Sequence, residues 1–346
     1  MTVWKHSRLD ASLLLITLIH VAFTVWTAAS WNAASISARA ISIGFLTIMM
    51  VYNIIIVSHL FTHTPWFTNH HLNSLTSMLN SFNIGQSVQA YQLSHVRNHH
   101  RYNNDAKRPD GVTLDRSSTY RAGKQGEHAP LFRYALGGAC ASIADTARAL
   151  ASVLRLFRVG PAESQLLELA AREQPRRGRE LGQVRRDRMF HAAALLACTI
   201  VAPTWLLLCY LPALFAACAL VNVQNYYEHF GANPHSRFAD SVSYYGRIYN
   251  FLTFNDGHHQ EHHLRPQVHW REMPAIRVQQ AGPLSRVPRI VSPVPAIAGF
   301  LHRSRVQLHR AAAVAPNTPP EERQGSDDDS LQKVSQSSSF TFPDRA

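Results

Sequence analysis

Histidines are unevenly distributed along this chain, and many of its 20 histidines fall into short groups. The groups read HLFTH at residues 59–63, HVRNHH at 95–100, NYYEHFG at 225–231 and HHQEHH at 258–263. On a helix, positions i and i+4 share one face, so two imidazoles at that spacing can reach one metal ion. A single pair often means no more than two exposed helical histidines, but four groups together indicate a metal centre. Imidazole suits iron, copper, zinc and nickel, so these residues leave the metal open.

The histidine groups border long apolar segments. Residues 13–29, 40–58 and 189–227 contain no Asp, Glu, Lys or Arg, and about 18 or more such residues can cross a bilayer. We therefore predict an all-α integral membrane protein with a helical cap that carries the histidines. About four transmembrane helices are expected, at about residues 11–30, 39–58, 187–205 and 207–228, with the last two separated near Pro203 or Pro212.

The rest of the chain is more polar. We expect residues 1–10 to form a cytoplasmic N-terminus, residues 11–288 the membrane domain, and residues 289–346 a C-terminal tail. The tail is expected to be disordered from about residue 316, because its composition cannot bury enough apolar area to offset chain entropy. Two semi-apolar segments, 72–92 and 131–157, are predicted to be interfacial or re-entrant helices.

Positive charge dominates, with a formal net charge of +12. Arginines crowd into residues 172–188, just before the third apolar segment. Such a flank is typical of a cytoplasmic loop under the positive-inside rule. We expect a multi-pass protein of a bacterial inner membrane with its histidine groups on the cytoplasmic side. A nucleic-acid partner is not expected, because the charges border membrane segments.

Three of the histidine groups resemble those of a known superfamily. HxxxH at 59–63, HxxxHH at 95–100 and HxxHH at 259–263 look like the three histidine boxes of the membrane fatty acid desaturases and hydroxylases. The resemblance covers roughly residues 40–275.

The stretch at residues 225–231 is similar to the additional NYxEHYG motif of bacterial alkane monooxygenases, with Phe230 in place of the Tyr. The boxes depart from those enzymes, however: Leu60, Thr64 and Ser94 stand where alkane monooxygenases have Glu, Lys and Glu. The departures favour a general desaturase-like enzyme over a strict alkane monooxygenase.

The resemblance implies a pair of iron ions, O2 as co-substrate and nine histidine ligands. The implied ligands are His59, His63, His95, His99, His100, His229, His259, His262 and His263. Five neighbours are candidates for orienting a ligand imidazole through its other ring nitrogen, although plain solvation or a structural role is an open alternative. They are Glu228, Glu261, Asn225, Asp256 and His258.

The implied activity is an O2-dependent lipid desaturase that inserts a double bond in an acyl chain. A hydroxylase (monooxygenase) of fatty acids, alkanes or terpenoids is the alternative, because one metal centre can serve both reactions. A histidine-rich metal transporter or sensor is a third interpretation. Transporters place polar ligands within the membrane, whereas these groups lie at helix ends, so transport is disfavoured.

Oxidation of an unactivated alkyl carbon requires a redox cofactor, which no side chain supplies, and zinc has no redox chemistry. The sequence contains no CxxC, no His-Pro-Gly-Gly and no GxGxxG pattern, so it lacks the usual signatures of a built-in electron carrier. We therefore expect a separate electron donor of the ferredoxin, rubredoxin or cytochrome type, and a lipid substrate that enters from the bilayer.

Overall fold

The computed structural model describes residues 2–124, 126–153 and 161–312. The regular elements in these residues are helices, and two isolated β-bridges occur besides them. This architecture confirms the all-α prediction. The helices are α1 Asp10–Ser30, α2 Ile36–His63, α3 His70–Ile84, α4 Val88–Ser94, α5 Leu131–Val153, α6 Pro161–Ala171, α7 Gln174–Val201, α8 Pro203–His229, α9 Arg247–Leu252, α10 His259–Leu264, α11 Met273–Gln279, α12 Ala281–Ser285 and α13 Leu308–Ala312. A π-helical segment, His95–His99, and a short turn, His100–Tyr102, follow α4, and 3-10 turns lie at Trp270–Glu272 and Ala296–Leu301.

Within the described residues, three helices are long and apolar enough to cross a membrane, namely α1, α2 and α8. The fourth expected span, residues 187–205, covers the second half of α7 and extends past Ala202 into the first three residues of α8. Helix α7 begins earlier, at Gln174, and runs through the arginine-rich segment before it ends at Val201. The break before α8 lies at Ala202, because the next residue, Pro203, has no N–H to donate and its ring would clash with the preceding turn of a continuous helix.

The loops between the long helices meet at one end of the bundle. The Trp31 indole Nε1 donates to Thr204 Oγ1 at 3.1 Å, and Asn32 Nδ2 donates to the Val201 carbonyl at 3.4 Å. Both α2 and α8 start at this end. Their last residues, which belong to histidine groups, therefore lie together at the opposite end.

A buried apolar core holds the long helices against α3. Met50 of α2, Phe82 of α3 and Trp205 of α8 belong to one buried cluster. Helix α3 ends at Gly85, whose φ of 72° is in the left-handed region. A Cβ there would lie 2.7 Å from the side chain of Leu214, so glycine lets α3 end and still pack tightly against α8.

The chain through His309 forms one compact unit, and a second unit begins at Arg310. The tail boundary that we expected at residue 289 therefore lies inside the first unit. Its segment is bound to the rest, since the Ser292 N–H donates to the Ser243 carbonyl at 2.9 Å and the buried Arg305 guanidinium donates to the Tyr227 carbonyl at 2.7 Å. The disorder predicted from about residue 316 lies outside the described residues.

The two expected interfacial segments are helical. Residues 72–92 correspond to most of α3 and α4, and residues 131–153 form α5. The last four residues of the second prediction, 154–157, lie outside the described residues. Helix α5 packs along α8, with Ala135 and Ala139 buried.

Candidate metal centre

The nine histidines implied as ligands come together from four segments that are far apart in the sequence. In the part of the chain that the structure describes, they form two groups, each with its ring nitrogens within 4.8 Å of one another. Group 1 contains His59, His63, His95, His100 and His262, and group 2 contains His99, His229, His259 and His263. Each group could hold a metal ion.

Helix α2 delivers two imidazoles to group 1 from its last turn. A π-helical segment, Asn53–Ser58, precedes them and is fixed by buried polar contacts. The Asn53 amide donates to Asn80 Oδ1 of α3 at 3.2 Å and accepts from the Ser58 hydroxyl at 2.7 Å. Because buried polar groups cost free energy unless they are paired, this small network favours one geometry of the wide turn. It thereby sets the direction in which the helix enters the first histidine box.

The second box is divided between the two groups by a π turn. The His100 N–H donates to the His95 carbonyl, which is the i→i+5 bond of a π-helix. This bond brings the two side chains together, with their Nε2 atoms 3.1 Å apart. His99 belongs to group 2 instead. A regular α-helix would pair residues four apart, so the π turn is what lets one short segment serve both groups.

The third box is divided by ordinary helical geometry. In α10, His259 and His263 lie four residues apart and both belong to group 2, whereas His262 belongs to group 1. The last residue of α8, His229, completes group 2, and its Nε2 lies 3.4 Å from Nε2 of His259. Both groups therefore depend on how α10 packs against the ends of α2 and α8.

Nitrogen atoms in group 1 face one another in a way that hydrogen bonds cannot satisfy. The Nε2 of His262 lies 3.1 Å from that of His59 and 3.0 Å from that of His100. Each Nε2 offers one in-plane site, either an N–H or a lone pair, so it cannot serve both neighbours.

In addition, neither ring nitrogen of His263 has a hydrogen-bond partner among the described residues, although both atoms are buried. Unpaired buried polar atoms are costly. A cation that accepts several nitrogen lone pairs would satisfy both observations, so the residues fit a metal.

The histidines are held in the neutral form that metals bind. Burial lowers the pKa of His95, His100 and His262 well below the usual range, and the neighbouring imidazoles lower it further. The pKa values of His259 and His263 are lowered for the same reasons. Near neutral pH these rings are uncharged, with lone pairs available for coordination.

A buried carboxylate orients one imidazole of group 2. Asp115 Oδ2 lies 2.8 Å from Nδ1 of His99, and the Ser117 hydroxyl lies 3.0 Å from the same nitrogen. Burial acts to raise the pKa of Asp115, but its interactions with the His99 imidazole, the Ser117 hydroxyl and the Asn104 N–H favour the carboxylate and lower that pKa to about 2. The ionised carboxylate favours an N–H at Nδ1, which leaves the Nε2 lone pair free for a metal.

Main-chain carbonyls orient two further ligands. The Asp240 carbonyl lies 3.1 Å from Nδ1 of His229, and the Ile55 carbonyl lies 3.1 Å from Nδ1 of His59. A carbonyl can only accept, so Nδ1 donates and Nε2 keeps its lone pair. These contacts fix the useful tautomer in both groups.

Two of the expected orienting residues lie close to ligand rings. Glu228 Oε1 is 3.7 Å from Nδ1 of His259, and Asp256 Oδ1 is 3.8 Å from Nδ1 of His59. Gln224 joins the two carboxylates, because its Nε2 donates to Glu228 at 2.6 Å and to Asp256 at 3.3 Å. Both separations from the rings exceed hydrogen-bond reach, so neither carboxyl group holds its ring through a hydrogen bond.

The other expected orienting residues contact different partners. Glu261 accepts from Tyr245 at 2.6 Å and lies 3.7 Å from His258, which is not in either group. Asn225 donates to the Ser117 carbonyl at 3.2 Å, so it reaches His99 indirectly through Ser117.

Asp115 and Asp240 also lie beside the rings and were not among the residues expected from the sequence. Asp240 Oδ1 lies 3.9 Å from Nδ1 of His263, and burial raises the pKa of this carboxyl to about 7. Both residues lie in irregular segments, where no periodic spacing relates them to a histidine box. The sequence therefore offered no signal that would have found them.

Comparison with known proteins bears on the same part of the chain. The family model described as Fatty acid desaturase matches residues 37–293, more than half of the chain. The matched range contains every member of both groups. A search among curated proteins found no match.

Proposed function

The chain belongs to the fatty acid desaturase family, and from that premise we propose that it is a membrane-bound di-iron enzyme that uses O2 to insert a double bond into the acyl chain of a lipid. The observation that carries the proposal is the division of nine clustered imidazoles into two adjacent groups. With O2, a pair of irons would supply the oxidising power to remove hydrogen from an unactivated carbon, which no side chain can supply.

The protein's own residues hold and orient this centre. Group 1 would hold one metal ion and group 2 the other, each through neutral imidazoles. Asp115 keeps its negative charge and fixes the ring of His99. The carboxyl groups of Asp256 and Glu228 lie near one ring of group 1 and one ring of group 2, respectively. Burial of the rings excludes bulk water, which would otherwise compete in an oxidation.

A cleft beside the end of α2 supports the lipid part of the proposal. Its volume is about 600 Å³. Its lining includes the apolar Phe61 and Val88 and three arginines of α7, Arg176, Arg179 and Arg186. Guanidinium groups bind carboxylate and phosphate well. We propose that the cleft receives the polar head of an acyl ester or thioester, while the acyl chain enters from the bilayer.

The electron donor is proposed to be a separate protein of the ferredoxin, rubredoxin or cytochrome type. The sequence motifs of a built-in carrier are lacking. The arginine-rich first half of α7 offers a basic surface, with Arg177 and Arg185 exposed, and it suits an acidic partner. By the positive-inside rule the same charges favour a cytoplasmic location for the histidine end, as in a bacterial inner membrane.

Hydroxylation is the second candidate, and one observation favours it. Residues 225–231, which are similar to the alkane-monooxygenase motif, place His229 in group 2. The same centre can serve either reaction, because the outcome depends on which substrate carbon lies beside it. Desaturation remains our first proposal because the first two boxes depart from the alkane-monooxygenase pattern.

Product analysis separates these candidates. The full chain would be expressed in a host of defined lipid content, with His262→Ala as an inactive control, and the lipids would be analysed by mass spectrometry. Loss of two hydrogens supports desaturation, and gain of one oxygen atom supports hydroxylation. Metal analysis of the purified protein should find iron. Bound zinc or nickel without O2 consumption would contradict both reactions and favour a metal-transport or sensing role.

A further inference from the structure

Helix α9 exposes large apolar side chains. The exposed fractions are 78% for Ile248, 83% for Phe251 and 57% for Leu252. We call these three residues the α9 patch. The helix is held firmly from its other side, where the buried Asn250 donates to the carbonyls of Tyr244 and Gly246 at 3.0 Å. Half of the residues of this short helix are therefore exposed and apolar, although the helix itself is well anchored. Such an exposed apolar surface indicates an interaction site.

The α9 patch continues the lipid-facing surface of α2. The Tyr52 hydroxyl donates to the Leu252 carbonyl at 2.5 Å. Ile41, Phe45 and Ile48 precede Tyr52 at alternating spacings of four and three residues, which places all four on one face of the helix. The three apolar members of that face are 71%, 48% and 63% exposed, as expected for a membrane span. The hydrogen bond therefore attaches α9 to the end of a surface that already faces lipid.

The position of Tyr52 along α2 gives the depth of the patch. It lies seven residues before His59, or about 10 Å along the helix axis at 1.5 Å per residue. A bilayer core is crossed by about 20 helical residues, so a span that begins at Ile36 leaves the core soon after Tyr52. The α9 patch is therefore level with the edge of the hydrocarbon core, nearer to the membrane than the histidines.

We propose that α9 is inserted in the membrane interface, with Ile248, Phe251 and Leu252 in contact with the lipid acyl chains. This goes beyond the proposed activity and does not depend on it. The α9 patch is expected to contact lipid because it continues the exposed apolar face of the membrane-spanning helix α2 and lies level with the edge of the hydrocarbon core. Amphipathic helices bind membranes in this way, because burial of their apolar face in the interface is favourable.

Insertion of α9 in the interface would link the membrane to the candidate metal centre. After α9 the chain turns through Phe254 and Asn255, whose φ values of 52° and 64° are in the left-handed region. A bulky residue adopts this conformation only where its surroundings hold it. Here the Phe254 ring packs edge-on against Trp270, with centroids 5.0 Å apart. The turn leads directly to Asp256, beside His59, and then to the third histidine box at residues 259–263. An α9 that is inserted in the interface would therefore fix the depth of this box relative to the acyl chains.

Spin-label accessibility tests the proposal. Cys140 is exposed, whereas Cys198, Cys209 and Cys218 are buried, so Cys140→Ser gives the background. Ile248→Cys and Phe251→Cys would be labelled separately in the full chain, reconstituted into phosphatidylethanolamine–phosphatidylglycerol vesicles. Collisions with O2, which partitions into lipid, would be compared with collisions with a water-soluble nickel chelate.

Two control positions calibrate the measurement. Ile48→Cys reports the lipid-facing stripe of α2, and Val112→Cys reports an exposed apolar residue in a polar loop. We expect the O2-to-nickel ratio at both α9 positions to lie within about twofold of the Ile48 value and well above the Val112 value. A ratio equal to that of Val112 would overturn the proposal. Shielding from both reagents would also overturn it, since a second protein surface would then cover the patch. Neither result depends on enzyme activity.

Discussion

The two histidine groups differ in how firmly the protein holds their rings. All members of group 2 are buried, and two of its rings have close outer partners, at 2.8 Å from Asp115 and 3.1 Å from the Asp240 carbonyl. Group 1 has five rings, of which His59 has one close outer partner, the Ile55 carbonyl at 3.1 Å, and His95 and His100 are only partly buried. The carboxylate nearest to group 1 among the described ion pairs, that of Asp256, stays 3.8 Å from its ring.

This difference suggests different roles for the two groups. Rings with fixed outer contacts hold a metal in a constant geometry, so group 2 should be the stronger site. Group 1 lies at the end of α2, which also lines the cleft proposed for the substrate through Phe61. The more open group is therefore the one nearer to where a substrate would arrive.

The largest expected effect is the loss of one ligand from either group. His99→Ala and His262→Ala should each reduce turnover by more than about a hundredfold, because outer partners alone are worth about 10–100-fold. Each variant should still insert in the membrane and lose iron mainly from its own group. His235, an exposed histidine outside both groups, provides the control, and His235→Ala should keep full activity. Full activity in either ligand variant would refute that ligand assignment.

Asp115→Asn should have the next largest effect. It preserves the shape of the side chain but removes the charge that fixes His99, and a loss of about 10–100-fold in metal affinity or activity is expected. The exposed Asp110, in the same loop and paired with Arg108, is the matched control as Asp110→Asn. Iron titration of both variants checks the prediction. Equal affinity in the two would show that the contact between Asp115 and His99 does not matter for group 2.

Asp256→Asn probes the corresponding position in group 1 and should have a smaller effect. Because its oxygen lies 3.8 Å from the His59 ring, beyond hydrogen-bond reach, only its charge is lost, and less than about a tenfold change in turnover is expected. A loss as large as that of Asp115→Asn, measured under the same conditions, would remove the contrast between the groups.

The smallest expected effect is a difference of a few-fold in the rate of metal loss. During treatment with a chelator, iron should leave in two phases, the faster one from group 1, and His262→Ala should remove the fast phase. Released iron would be followed by absorbance. One uniform phase would mean that the two groups hold metal equally well.

Much of this centre is predictable from the sequence, because helical spacing alone relates His59 to His63 and His259 to His263. The assignment of His95 and His99 to different groups is not, because it depends on a π turn that tertiary packing selects. Asp115 and Asp240 are brought to the rings by irregular segments, where neither a periodic pattern nor a fixed spacing applies.

The fold shows the same limit. The uncharged segments predict where α1, α2 and α8 lie, because burial in lipid requires long apolar runs. The contacts of residues 289–309 with the rest of the chain are not predictable in this way, because they depend on tertiary contacts such as that of the buried Arg305, which donates to the Tyr227 carbonyl near the end of α8. Arg305 stands between Arg303 and Arg310 in the sequence, and nothing local marks it as the arginine that makes such a contact.

The most direct test of the central claim is anomalous X-ray scattering from crystals of the iron-loaded protein, with data recorded on both sides of the iron absorption edge. We predict two iron peaks, one enclosed by the ring nitrogens of group 1 and the other by those of group 2. A single shared peak, or iron bound away from these histidines, would contradict the account.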